Sequence, residues 1–172
     1  MEIITIFEGN LYAVKYADEQ PDELECIFVE WSDVQILFDF FDEHEQDLAY
    51  FNLTKEIAVK ETICEAKQFR KELLKCKDSP EMAIGLFEKL SYNNAYELLL
   101  KQKSKRKWLR IYAIRIEENC FLITGGAIKL TQTMNERKHT NDELVKLERV
   151  RNYLTDNNVF DFDSFNDMQS EL

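Results

Sequence analysis

Lys101, Lys103, Lys105, Arg106, Lys107, Arg110 and Arg115 follow one another without an intervening acidic residue. Such a stretch is what phosphate binding needs, because every phosphate it neutralises releases condensed counterions. The same cations serve equally well if an acidic half of the chain folds against a basic half, or if lysines solubilise a loop. Charge is segregated along the chain: residues 1–54 carry 14 acidic and 1 basic side chain, and residues 101–151 carry 13 basic and 6 acidic. The net charge is −11 over 172 residues. An acidic segment of this weight is placed to screen the basic block in cis, as a neutralising partner does in trans.

Other familiar chemistry is missing. The two histidines, His44 and His139, stand in no H-E-x-x-H, and no G-x-S-x-G elbow or phosphate loop of Walker type occurs. Cys26, Cys64, Cys76 and Cys120 have no C-x-x-C spacing. They predict four reduced thiols and no zinc site, with Cys64 and Cys120 inside apolar patterns and therefore in the core. Gly125 and Gly126 lie between apolar stretches and read as a bulge or a close backbone approach within a strand.

The elements that must position these residues predict an α+β fold, with a small antiparallel sheet packed against several helices. Apolar residues make up 45% of the chain, aromatics 12%, and Gly and Pro number only 4 and 2, which favours long helices over a turn-dense β protein. Residues 2–16 read as a strand or hairpin around Gly9, and 24–31 as a second strand through Leu24, Ile27, Val29 and Trp31. Ser32 or Asp33 caps a helix carrying Val34, Leu37, Phe38, Phe41 and Leu48. Thr54 caps a longer one over 55–77, with a stripe of Val59, Ile63, Ala66, Phe69, Leu73 and Cys76. Pro80 opens a short third helix, and 95–100 is apolar enough for another. Residues 108–116 and 120–124 form an antiparallel hairpin that 127–130 extends, with Ile111, Ile114 and Ile123 as core. Thr140 and Glu143 have capping-box spacing at the head of a helix running to about residue 156, and the Phe-Asp tail at 160–165 either docks on the sheet or stays mobile.

The order over 108–154, a basic strand, a tight turn, an apolar strand, then Lys129 and Thr131 followed by a capped helix, resembles the RelE/HigB-type toxin superfamily. The resemblance covers about residues 60–156, with Leu130 standing where a second lysine is common. It treats 1–54 as an acidic extension, 55–156 as a RelE-like core and 157–172 as an acidic tail of one domain. It implies a bacterial toxin–antitoxin protein acting as a ribosome-associated mRNA endoribonuclease, with RNA or the ribosome and an antitoxin-like protein as partners. Cations then orient the scissile phosphate while the neighbouring 2′-hydroxyl attacks, and no metal or other cofactor is required. Arg110, Arg115 and Lys129 become the phosphate clamps, although Arg110 and Arg115 fall on opposite faces of a regular strand. Lys105, Arg106, Lys107, Tyr112, Arg137, Lys138 and His139 become the RNA-binding set. Trp108 and Tyr112 offer rings for stacking, or belong to the core. His139 serves as acid or base, or is a solvent-exposed neighbour of a capping Thr.

Two functions of different class follow, a ribonuclease of this type in active or degenerate form, and a non-enzymatic module binding protein or nucleic acid. No apolar run approaches the ~18 residues of a membrane span. The first residues lack the basic and apolar regions of a secretory signal, so a cytoplasmic location is expected.

Overall fold

The computed structural model describes residues 1–90, 99–134 and 136–170. It is α+β, with six strands in one mixed sheet and helices on both faces. In chain order the elements are β1 (Glu2–Phe7), β2 (Leu11–Lys15), α1 (Glu23–Glu30), α2 (Val34–Glu43), α3 (Glu45–Leu48), a 3-10 turn at Ala49–Phe51, α4 (Lys55–Lys75) and α5 (Met82–Leu86). There follow β3 (Phe87–Lys89), β4 (Leu100–Arg106), β5 (Leu109–Glu117), β6 (Cys120–Ile128), α6 (Lys138–Asp156) and α7 (Phe162–Ser170). The sheet order is β1-β2-β6-β5-β4-β3. All neighbours are antiparallel except β2 and β6, which run parallel through Leu11, Tyr12 and Ala13 against Phe121, Leu122 and Ile123. The sheet is therefore larger than the small antiparallel one expected. The acidic first third supplies two of its strands, the antiparallel hairpin expected over residues 2–16. No helix among the described residues is long and apolar enough to cross a membrane.

The expected strand at 24–31 is the helix α1. Leu24, Ile27, Phe28 and Trp31 are spaced i, i+3, i+4, i+7, and they pack into the core while Val29 is left exposed. Asp22 fixes the start, its carboxylate accepting from the Leu24 and Glu25 amides at 3.0 and 3.2 Å. Asp33 caps α2 in the same way, and Thr54 caps α4, whose stripe is buried at Val59, Ala66, Phe69, Leu73 and Cys76. Cys64, expected in the core, is exposed on α4, while Cys76 and Cys120 are buried. The expected helix at 95–100 falls largely outside the described residues, and Leu100 begins β4. The basic run at 101–106 is itself a strand.

Side-chain alternation along β5 divides the core in two. Leu109, Ile111 and Ala113 face α1, α2 and α4, whereas Tyr112, Ile114 and Ile116 face α6 and α7 through Leu147, Val150, Leu154 and Phe165. Ile111, Ile114 and Ile123 are completely buried, as expected. Part of the acidic tail docks: Phe165 meets Tyr12 edge-on at 5.0 Å.

The glycine pair lies at a register shift, where Tyr112 pairs with Gly125 but Ala113 pairs with Ile123. A Cβ on Gly126 would stand 2.8 Å from both Ile27 of α1 and the Arg110 carbonyl, and one on Gly125 would stand 1.9 Å from a Glu143 carboxylate oxygen. Glu143 therefore lies over Gly125 and forms no capping box; α6 starts after Arg137, and the Thr140 hydroxyl donates to the Met134 and Arg137 carbonyls. Burial raises the Glu143 carboxyl to about 7; Lys146 opposes the shift, and Glu23 and Glu30 add to it. A carboxyl with a raised folded pKa holds its proton more tightly when folded. Its stabilising contribution is complete below the unfolded pKa and declines as pH rises through the folded one. The stability of the wild type relative to Glu143→Gln is expected to fall by about 2–3 kcal/mol between roughly pH 5 and 8. Urea unfolding of both proteins across that range checks this, and a flat difference contradicts it.

Candidate functional site

Strand parity brings part of the basic block together. Lys101, Lys103 and Lys105 alternate along β4 and pair with Ile114, Tyr112 and Arg110 of β5, so all three share a face with Arg110. Lys129 follows β6 on the same side, and the chain from Thr131 to Met134 forms a wall. The result is an open groove of about 690 Å³ with Arg110 and Tyr112 on its floor.

The cations in it are held in different ways. Arg110 donates from one guanidinium nitrogen to the Lys107 and Leu109 carbonyls at 2.7 and 2.8 Å. Lys129 donates to the Thr131 carbonyl at 2.8 Å and to the Gln132 carbonyl. Neither forms an ion pair among the described residues, and Lys105 has no hydrogen-bond or ion-pair partner there. Lys101 meets Glu148 at 3.0 Å, and Lys103 lies 3.5 Å from the exposed Glu88. The crowding registers in Lys129, whose pKa is lowered by burial and then by Arg110, Lys103 and Lys105. Arg110 is lowered by burial. Like charges across a strand pair are unfavourable unless something binds between them.

Other residues of the expected set lie elsewhere. Arg115 sits opposite Phe121 on the face of α1, α2 and α4, because the register shift near the groove lies in β6 and leaves β5 regular from Leu109 to Ile116. It cannot join Arg110 and Lys129 as a clamp. Arg106 reaches α4 and pairs with Glu65 and Glu72 at 2.6 and 2.7 Å. Lys107, in a left-handed turn, pairs with Glu61 and lies 4.2 Å over the Trp108 ring. Trp108 is buried with its indole donating to Thr62 at 2.9 Å, so it offers no stacking surface. Tyr112 is also fully buried in side-chain terms; its hydroxyl has no described partner and burial pushes its pKa upward. Arg137 clamps Asp47, Lys138 pairs with Asp142 at 2.6 Å, and both stand outside the groove.

His139 is half-buried rather than exposed, with Nε2 at 2.8 Å from the Ile128 carbonyl and its ring against Phe40 and His44. Burial lowers its pKa, and it lines a different cavity, so it is not placed to act in the groove. Lys101 and Lys103 were visible in the basic run but not among the expected site residues. Their alternation with Gln102 and Ser104, both buried, is the period-2 signal that would have placed them on a strand. No group of three or more His, Cys, Asp or Glu among the described residues is arranged to hold a metal ion.

This separation of structural from available cations is measurable. Arg137→Ala leaves the Asp47 carboxylate, 7% exposed, without its partner, and is expected to lower the midpoint of unfolding measurably. Lys105→Ala is expected to stay within about 0.5 kcal/mol of wild type. Denaturant unfolding of the two variants checks the contrast. Compared with known proteins, the chain matches no family model, no curated protein and no solved structure.

Proposed function

We propose that this protein binds single-stranded RNA by its phosphate backbone in the groove formed by β4, β5 and Lys129. The observation that carries the proposal is the state of the cations. Arg110 and Lys129 are oriented by main-chain carbonyls and Lys105 is exposed without a described partner, so their charge is not matched by a carboxylate. Arg106, Lys107, Arg137 and Lys138, by contrast, are each paired with one. Lys101 and Lys103, whose partners Glu148 and Glu88 are partly exposed and displaceable, line up with Lys105 every ~7 Å along the strand, which suits the successive phosphates of an extended polyanion. With Trp108 and Tyr112 buried, base stacking contributes little and sequence preference is expected to be weak.

A second reading extends the first to RelE/HigB-type mRNA cleavage on the ribosome, held in check by an antitoxin-like partner. It is favoured by the closeness of Arg110 and Lys129, two cations able to stabilise charge on an attacked phosphate. It has to do without Arg115 and His139. In the first reading the protein is a non-enzymatic module.

Fluorescence anisotropy with a labelled, unstructured RNA at low salt tests both. Binding is expected to weaken with salt with a log–log slope of about −2 to −3, for three to four phosphate contacts. Lys105→Ala and Lys129→Ala should each weaken it by roughly three- to tenfold, and Lys138→Ala should leave it unchanged. Products ending in a cyclic phosphate, abolished by Lys129→Ala, would support cleavage, whereas intact RNA leaves binding alone. No binding by the wild type at low salt overturns both readings and turns attention to an acidic protein surface as the ligand.

A further inference from the structure

A second concavity, of about 580 Å³, opens between α1 and α6 beside β6. β2 pairs with β6 only as far as Ile123, so the later residues of β6 have no strand partner on that side. One end of the cavity is apolar, with Ile27, Trp31, Leu37 and Phe40 in its wall. The other end carries three carboxylates, Glu23 and Glu30 from α1 and Glu143 from α6, against the single ammonium of Lys146.

Lys146 does not neutralise this end. It donates to Glu143 at 2.9 Å and to Glu23 at 3.1 Å. The second oxygen of Glu143, a residue only 6% exposed, has no hydrogen-bond partner. A methyl group on Gly125 would lie 1.9 Å from that oxygen and 3.3 Å from an oxygen of Glu23, so the two carboxylates converge above one glycine. Glu30 has no side-chain partner among the described residues. In its ionised form Glu143 is a buried acceptor left unmatched, which costs stability that a cationic donor entering the site would recover. An excess of carboxylate at one end of an apolar cavity selects the ligand chemistry: a cation able to donate several hydrogen bonds, carried on an apolar stem.

We propose that this cavity is a binding site for an ammonium or guanidinium group on an apolar stem, with Glu30 and Glu143 receiving the cation and the Trp31–Phe40 side receiving the stem. Two sources share that chemistry, a free organic amine and the Lys or Arg side chain of a protein partner. The site is independent of the RNA groove and shares none of its residues.

The test is an NMR titration of the full chain with n-hexylamine and benzamidine, read at the backbone amides of Gly125, Gly126 and Ala127. Hexanol and hexanoate are the neutral and anionic controls. Saturable shifts with both cations, at least about tenfold weaker binding of hexanol and none of hexanoate are expected. Glu30→Gln lies on an exposed position and should weaken hexylamine by about threefold. Glu143→Gln keeps the shape of the buried group and should weaken it by about tenfold. A blocked peptide with one Lys between leucines distinguishes the sources: binding tighter than hexylamine assigns the site to a protein side chain, and weaker binding assigns it to a free amine. Equal affinities for hexanol and hexylamine overturn the proposal. So does unchanged hexylamine binding in both variants with wild-type spectra, or no shift by wild type at roughly 10 mM amine.

Discussion

Gly125 and Gly126 set how closely helices on both faces approach the sheet. On one face Gly126 lets Ile27 bring α1 down onto β6, and on the other Gly125 lets Glu143 of α6 lie over the strand. Ordinary strand alternation puts the two consecutive glycines on opposite faces, so that each meets its own helix, and the register shift follows directly beside them at Thr124. With side chains at both positions, α1 and α6 would have to lift away from the sheet. The cavity between these helices would then lose its wall, and the carboxylate cluster would lose its geometry. Burial of Glu143 and its raised pKa are thus consequences of a backbone feature rather than of local sequence around α6.

The charge division is not a set of direct ion pairs between the acidic third and the basic block. Among the described residues, no ion pair joins an acid of residues 1–54 to a cation of residues 101–115. The basic strand is paired with α4, β3 and α6 through Glu61, Glu65, Glu72, Glu88 and Glu148. Acids of the first third instead pair with Lys15, Lys55, Arg70, Arg137 and Lys146. Most of these contacts are at least partly exposed and contribute little each to stability. Their distribution decides which cations of the groove remain without a carboxylate partner, and those are Lys105, Arg110 and Lys129.

Where one period dominated, the sequence was legible. The caps at Asp33 and Thr54, the long stripe of α4 and the β-branched run of β5 each pointed to a single element. Residues 24–31 were ambiguous because Ile27, Val29 and Trp31 fit a strand while Leu24, Ile27, Phe28 and Trp31 fit a helix. The Asp22 cap and tertiary packing select the helix. Glu143 shows a different limit. Its capping-box spacing from Thr140 was a local signal, overridden because a glycine 18 residues earlier leaves room for its carboxylate. Of the expected site, Lys105, Arg110, Tyr112 and Lys129 share the groove. Arg115 is excluded by parity, which the sequence already stated, and Arg106 and Lys107 by partners on α4 that no linear pattern displays.

Both concavities lie at parts of the sheet that its helices or its neighbouring strand leave uncovered. Ile114 and Ile116 lie beneath α6 and α7, whereas Arg110, on the same face of the same strand, lies beyond that cover. A cation at that position avoids full desolvation, and its neighbours on β4 can be lysines for the same reason. On the opposite side of β6, β2 stops pairing at Ile123 and the strand continues between α1 and α6 with only β5 as a partner. Acidic side chains from those helices fill the flank there. Each uncovered segment therefore collects one sign of charge from the elements that border it: β4 and β5 supply cations, and α1 and α6 supply carboxylates. A chain with net charge −11 can in this way present a locally positive groove, because the lining there holds Lys101, Lys103, Lys105, Arg110 and Lys129 and no carboxylate among the described residues.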